Sequence, residues 1–168
     1  MNTTEQFSRI TDDIAYLVDE AEALTLVIDV VPATEKSSGI TSILDMIYLI
    51  DHAQLTYFRP LVEQLFSLPK VQASLPDFRT TADFSSIQHE STEAVLKNLI
   101  RNRKSFVAYL QAAGQDCIEK AGEINGQTRT IADVLQEMIV FERQQLKLVA
   151  ERVLAIDRSN QNKGKPQQ

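Results

Sequence analysis

Apolar residues recur at steps of three and four through four long stretches of this chain, and each stretch predicts an amphipathic helix. In the first, from about Thr4 to Ile28, the residues Phe7, Ile10, Ile14, Leu17, Ala21, Leu24 and Ile28 alternate those steps without a break, which confines them to one narrow face. Thr3 with Gln6 three positions on predicts a capping box, whose side chains satisfy backbone N–H groups left without partners at a helix start. Pro32 and the polar run from Thr34 to Gly39 predict a loop. The second stretch begins near Ser42, with Asp45 in the reciprocal capping position, and continues to about Phe66. Ile43, Leu44, Met46, Ile47, Leu49, Ile50, Leu55, Phe58, Leu61 and Leu65 cover more than half its circumference, as in a helix buried on two sides. Pro60 removes an N–H and meets the carbonyl of Thr56, so a kink is expected there.

From Ser67 to Ser91 the pattern weakens. Pro69, Pro76 and the run from Asp77 to Ser86 break any helix, while Leu68, Val71, Leu75, Phe78, Phe84 and Ile87 can pin a long crossover to the rest of the chain. The third helix is expected from about Thr92 to Ala113, with Ser91 as its cap and Gly114 as its stop. Leu96, Leu99, Phe106 and Leu110 form its stripe, and Arg103 takes the stripe position between Leu99 and Phe106. Gln115 to Arg129 is read as a connection, with Asn125-Gly126 as a turn signal. The last stretch runs from Thr130 to Ile156, with Asp133 completing a capping box and Ile131, Val134, Leu135, Met138, Phe141, Leu148, Val149, Val153 and Ile156 as its apolar stripe. At 1.5 Å per residue it would span about 40 Å, the full height of a bundle. Beyond Asp157 the residues lack apolar anchors and read as a polar, disordered tail, so the chain divides into a bundle over 1–158 and a tail over 159–168. The pattern as a whole predicts an all-α fold: a four-helix bundle with a long crossover between helices two and three.

Composition agrees. Five glycines and five prolines are too few for an all-β chain with its many tight turns. Lys and Arg number 17 against 23 Asp and Glu, a net charge of −6 that repels nucleic acid, and Arg101, Arg103 and Lys104 form only an ordinary basic cluster on one helix. Cys117 is the one cysteine, which rules out an intrachain disulfide and a CxxC zinc site. The first residues lack the basic segment and apolar run of a secretory signal, and no apolar run approaches the roughly 18–20 residues of a membrane span. A cytoplasmic protein with no membrane or nucleic-acid partner is expected.

Four polar residues fall within or beside the predicted apolar stripes: His52, Arg103, Glu142 and Gln145. An unpaired buried charge costs several kcal/mol, so Glu142 must pair, bind a cation or reach water. One account is a satisfied polar cluster of Glu142 with Arg103 and His52 that fixes helix register; another is a metal or ligand site built from His52, Glu142 and Gln145; a third rotates some of the four to solvent. His89, just before helix three, reads as an exposed loop residue. Cys117 has Lys120 as its nearest basic residue in sequence and would be a nucleophile only if the fold supplied a base. No Ser-His-Asp arrangement, phosphate-cradling glycine loop or dinucleotide fingerprint is present.

The order of motifs resembles the DinB-like (YfiT-like) superfamily of four-helix bundles over Thr4 to Ile156. The resemblance is carried by Ser42-Ile43-Leu44-Asp45 leading into Tyr48-Leu49-Ile50-Asp51-His52, by Arg103, by Asn125-Gly126, and by Thr130-Ile131-Ala132-Asp133-Val134-Leu135 with Phe141-Glu142-Arg143-Gln144-Gln145-Leu146. It implies a divalent cation, nickel or zinc, on three histidines in the metal-binding members: one on the second helix and two, four residues apart, on the last. Here that last-helix pair falls on Phe141 and Gln145, and the second-helix histidine falls near Tyr48 or Leu49, about one turn before His52. Phenylalanine cannot ligate and a glutamine amide is a poor ligand for nickel or zinc. The expectation is therefore a degenerate metal site with no cofactor and no assigned catalytic residue. A small-molecule pocket is expected between helices two, three and four, lined by His52, Arg103, Phe141, Glu142 and Gln145. Two alternatives stand beside it: a divalent-metal-dependent hydrolase or thiol-transferase-like enzyme with substituted ligands, His52 and Glu142 among them, and a non-catalytic structural or partner-binding bundle. The resemblance also implies a homodimer, for which the broad apolar coverage of helix two would leave a second face to bury.

Overall fold

The computed structural model describes residues 2–28, 31–36 and 41–163, with 162 and 163 as backbone only. Residues 37–39 of the expected loop and 164–168 of the expected tail lie outside the described residues. Helix α1 (Thr3–Thr25) is capped by Asn2 rather than Thr3: the Asn2 side chain accepts from the Glu5 N–H at 2.8 Å and Glu5 accepts from the Asn2 N–H at 3.2 Å. Asparagine caps at least as well as threonine, so the box forms one residue earlier than expected. The helix ends three residues before Ile28, yet Ile28 still points inward and is buried.

Helix α2 (Ile43–Ala53) starts from the expected box, in which Ser42 and Asp45 exchange hydrogen bonds of 3.0 Å. The kink expected at Pro60 takes the form of a π turn, Gln54–Phe58, that leads into α3 (Arg59–Ser67). The Arg59 N–H reaches back to the Gln54 carbonyl, and this wider turn just upstream accommodates a proline that has no N–H to give and whose ring would crowd Thr56. The inserted residue also shifts the stripe, which leaves Leu55 exposed although the pattern placed it inside.

The crossover contains strand β1 (Gln72–Ala73), the short helix α4 (Phe78–Thr81) and a 3-10 turn over Phe84–Ile87. Asp77 caps α4 through the Arg79 N–H and Asp83 caps the next turn through the Ser85 N–H, so the run expected to be irregular is locally ordered by its own side chains. Phe78 and Ile87 are buried, and α4 and the 3-10 turn both pack on α2. The crossover thus covers part of the apolar surface of α2 from within the chain.

Helix α5 (Thr92–Ala113) keeps the expected bounds, with Ser91 capping the Ala94 N–H and Gly114 at φ 79° ending it. The connection after it is not a plain loop. A 3-10 turn at Gln115–Glu119 leads to strands β2 (Ala121–Ile124) and β3 (Gln127–Thr130), which pair antiparallel about Asn125 (φ 51°) and Gly126 (φ 79°). Two successive positive φ angles are what a tight two-residue hairpin turn needs. β1 adds parallel to β2, and the Asn125 side chain accepts from the Leu75 N–H, so the hairpin and the crossover hold each other. Helix α6 (Ile131–Lys163) opens with Thr130 and Asp133 as a capping box. It runs past Asp157 into the expected tail, where Gln161 bonds back to Asp157 one turn earlier.

The apolar side chains form two clusters. One gathers Ile10 and Ile14 of α1, Phe58, Leu61 and Leu65, Phe106 and Leu110 of α5, and Val134 to Phe141 of α6. The other gathers Leu17 and Ala21 of α1, Ile43 to Ile50 of α2, Leu96 and Leu99 of α5, and Val149 of α6. Helices α1 and α6 therefore run one way and α2, α3 and α5 the other. The bundle helices on either side of the crossover, α3 and α5, are parallel, so the crossover must climb the height of the bundle, which is why it is long. On α6, Leu148 is exposed and the neighbouring Val149 fills the core position alone.

The close approach of β2 to α3 gives a test of the hairpin. A β-carbon on Gly122 would lie 2.7 Å from a Leu65 methyl, 2.9 Å from the Val71 Cβ and 3.0 Å from the Val71 carbonyl oxygen. Gly122→Ala is expected to lower stability by about 1–3 kcal/mol through overpacking, measured by urea denaturation.

Candidate functional site: a polar layer and an aromatic cluster

A layer of buried polar side chains lies between the two apolar clusters. Arg103 from α5 is fully buried, and its guanidinium meets the carboxylate of Glu142 on α6 fork to fork: Nη1 donates to Oε2 at 3.2 Å and Nη2 donates to Oε1. The rotation of α6 that turns Glu142 inward turns the next residue, Arg143, out to an ion pair with Asp13 of α1. Burial pushes the Glu142 carboxyl above the usual range, the Arg103 charge and hydrogen bond pull it back, and Glu20 of α1 adds repulsion. Beside this pair, the Asn102 amide donates to both oxygens of Asp51 on α2 at 3.0 Å. Burial raises the Asp51 pKa, against the Asn102 hydrogen bond and the nearby charges of Arg103, Arg101 and His52. One turn further along, Gln54 is fully buried at the head of the π turn.

His52 faces α4 instead. Its Nε2 lies 3.0 Å from the Thr81 hydroxyl, and that hydroxyl has its own acceptor in the Phe78 carbonyl at 3.1 Å. A hydroxyl has one hydrogen, so the imidazole N–H is the donor between them. Burial lowers the His52 pKa, with Asp51 opposing, which favours the neutral ring. His52, Thr56, Tyr57, Leu75, Pro76, Phe78 and Thr81 line a cleft of about 180 Å³.

Phe141 belongs to an aromatic cluster. Its ring centre lies 4.7 Å from that of Phe78 and 6.4 Å from that of Phe58, and Tyr57 closes on both Phe58 and Phe78 at 5.1 and 5.4 Å. The Arg79 guanidinium covers this cluster, 4.6 Å from the Phe78 ring centre and 5.1 Å from that of Phe141. Gln145, one turn beyond Phe141, is half-buried. His89 is exposed. Cys117 is buried, and that burial pushes its thiol up, away from the reactive thiolate.

Of the residues expected to share one pocket, the structure joins Arg103 to Glu142, sets Phe141 in the aromatic cluster, turns His52 toward α4, and leaves Gln145 partly open to solvent. Asp51, Asn102 and Gln54 were missed. Gln54 was the most readable of them, because it continues the Ile43, Ile47, Ile50 spacing and so replaces an apolar residue on an inward stripe, as Arg103 does on α5.

The donor set does not fit the cation that the sequence resemblance implies. Among the described residues no three His, Cys, Asp or Glu side chains converge as a metal site. Both Glu142 oxygens are taken by Arg103, and His52 and Glu142 answer to different neighbours.

These features define a helical bundle of up-down-down-up order with a charged layer across its core. No family model matches the chain, and no curated protein matches it. Among solved structures, the chain is similar to YfiT from Bacillus subtilis, described as a probable metal-dependent hydrolase with an unusual four-helix bundle topology. The TM-score is 0.78 and the match covers 94% of this chain and 91% of that one, at 8% sequence identity. The fold is that of the YfiT bundle, which the sequence motifs resemble.

Two measurements test the layer. Glu142→Leu leaves Arg103 buried without its counter-ion and is expected to cost about 3–5 kcal/mol, whereas Glu142→Leu with Arg103→Met should recover most of that loss. Equal small effects in the single and double variants, read from denaturant titrations, would show that the two residues do not interact. Asp51 holds its proton more tightly folded than unfolded, so the stability it contributes is present at acid pH and is lost as pH rises through its raised folded value. Asp51→Asn, with Asn102 turning its amide over, is expected to have a higher urea midpoint than the wild type at about pH 7 and the same midpoint at about pH 3.

Proposed function

We propose that this protein is a metal-independent binding bundle that takes a small, mostly apolar molecule in the cleft beside His52. The observation that carries the reading is the occupation of the last-helix position: Phe141 stands where metal-binding relatives of this fold would be expected to present a ligand, and it is packed among Phe58 and Phe78 under Arg79. The description of YfiT as a probable metal-dependent hydrolase therefore transfers poorly to this chain. The cleft has an apolar wall of Leu75, Pro76, Phe78 and the Tyr57 ring, with the His52 imidazole and the Thr56 and Thr81 hydroxyls as its polar groups. At about 180 Å³ it is smaller than the roughly 300 Å³ of pockets for drug-sized ligands, so the ligand is on the scale of a single ring with one polar end.

Metal analysis of untagged protein combined with a fragment screen by NMR tests this reading. The expected result is well under one nickel or zinc per chain, with single-ring fragments shifting the resonances of Tyr57 and Phe78 and losing affinity in Thr81→Val. Stoichiometric zinc or nickel that disappears in His52→Ala would overturn it in favour of a metalloenzyme with substituted ligands. Metal-free protein whose cleft resonances no fragment moves would leave a structural or partner-binding bundle.

A further inference from the structure

Among the described residues, three polar atoms of the polar layer have no hydrogen-bond partner in the protein. Gln54 is fully buried, and among the described residues neither its amide oxygen nor its amide nitrogen has a hydrogen-bond partner; the same holds for Nε of Arg103. The other two guanidinium nitrogens of Arg103 are committed to Glu142. Asn102, next to Arg103 on α5, donates to Asp51 at 3.0 Å, and Asp51 lies one turn before Gln54 on α2, which brings both unpaired groups to the same level between the two apolar clusters. A buried amide or guanidinium N–H left without a partner costs about 1–3 kcal/mol, and native interiors remove such costs with ordered water. The π turn points the same way. It interrupts the regular helical hydrogen-bond ladder at the residue that carries the unsatisfied amide, and breaks of this kind are common where something other than the helix must be bound.

We propose that Gln54 and Arg103 form an internal solvent site, at which at least one long-lived water accepts from the Arg103 Nε–H and donates to the Gln54 amide oxygen. The chemistry selects water over an ion. Nε and the amide nitrogen are donors and the amide oxygen is an acceptor, a mixed set that suits a small neutral molecule able to do both. An anion there would sit against the buried carboxylates of Glu142 and Asp51, and a cation against Arg103. The site is distinct from the His52 cleft and does not depend on what that cleft binds.

Oxygen-17 relaxation dispersion counts waters with long residence times in the intact protein. The wild type is expected to hold at least one, and Gln54→Met, similar in size but without the amide, at least one fewer. The same substitution should lower the melting temperature, because it strands Nε of Arg103. A wild-type count of zero, an unchanged count in Gln54→Met, or a raised melting temperature would each overturn the proposal. If Gln54→Met does not fold, a high-resolution crystal structure of the wild type decides: density bridging Gln54 and Arg103 Nε supports the site, and a direct bond between the two side chains refutes it.

Discussion

The pairing of Arg103 with Glu142 is the constraint around which the bundle is arranged. A guanidinium and a carboxylate taken out of water lose several kcal/mol of hydration each, and their attraction compensates only when the geometry is close to ideal. Here both carboxylate oxygens of Glu142 accept from the guanidinium, fork to fork. It demands that α5 and α6 meet at one height and one rotation, because a shift of a residue on either helix would bury one charge without the other. An apolar pair at these positions would tolerate sliding; this pair does not. Such a layer is better understood as fixing alignment than as adding stability.

Alignment is the difficult problem for this topology. Because α3 and α5 run parallel, no short turn sets their relative height, and the connection between them is long enough to permit several offsets. The Asn102 to Asp51 contact joins α5 to α2 beside the ion pair that joins α5 to α6. Two adjacent residues on α5 thus index α2 and α6 at the same level. The small sheet acts at the other end, where β1 from the crossover pairs with β2 from the hairpin before α6 and the Asn125 side chain ties the two connections together. A charged layer in the middle and a sheet at one end both constrain the register of the parallel pair.

How much of this can be read from the sequence depends on the length over which a pattern repeats. The four helical stretches extend through many turns, and α5 was legible to its end residues because Ser91 and Gly114 bracket it chemically. The strands are two and four residues long, too short for alternation to register against the polar background, and only the Asn125-Gly126 turn hinted at them. Arg103 and Glu142 were legible as charges on apolar stripes, and so was the need for each to find a partner. Gln54 carried the same signal but is uncharged, so it raised no demand for a counter-ion. His52 shows the limit from the other side: one residue along a helix rotates a side chain by about 100°, and the π turn just beyond it changes the phase again.

The aromatic cluster and the polar layer bear on function together. On α6, Phe141 and Glu142 are neighbours in sequence but meet different partners, Phe141 packing against Phe58 and Phe78 while Glu142 pairs with Arg103. A cation-binding bundle needs several donors aimed at one point and left short of partners until the ion arrives. Here the carboxylate is already saturated by a fixed cation of the protein itself, and the adjoining position is closed by rings whose outer surface is covered by Arg79. Positive charge is supplied twice, once inside the core and once at its edge, by side chains that cannot dissociate. For Glu142 to ligate a cation at this level, Arg103 would first have to give up its counter-ion, and a buried guanidinium without one costs several kcal/mol.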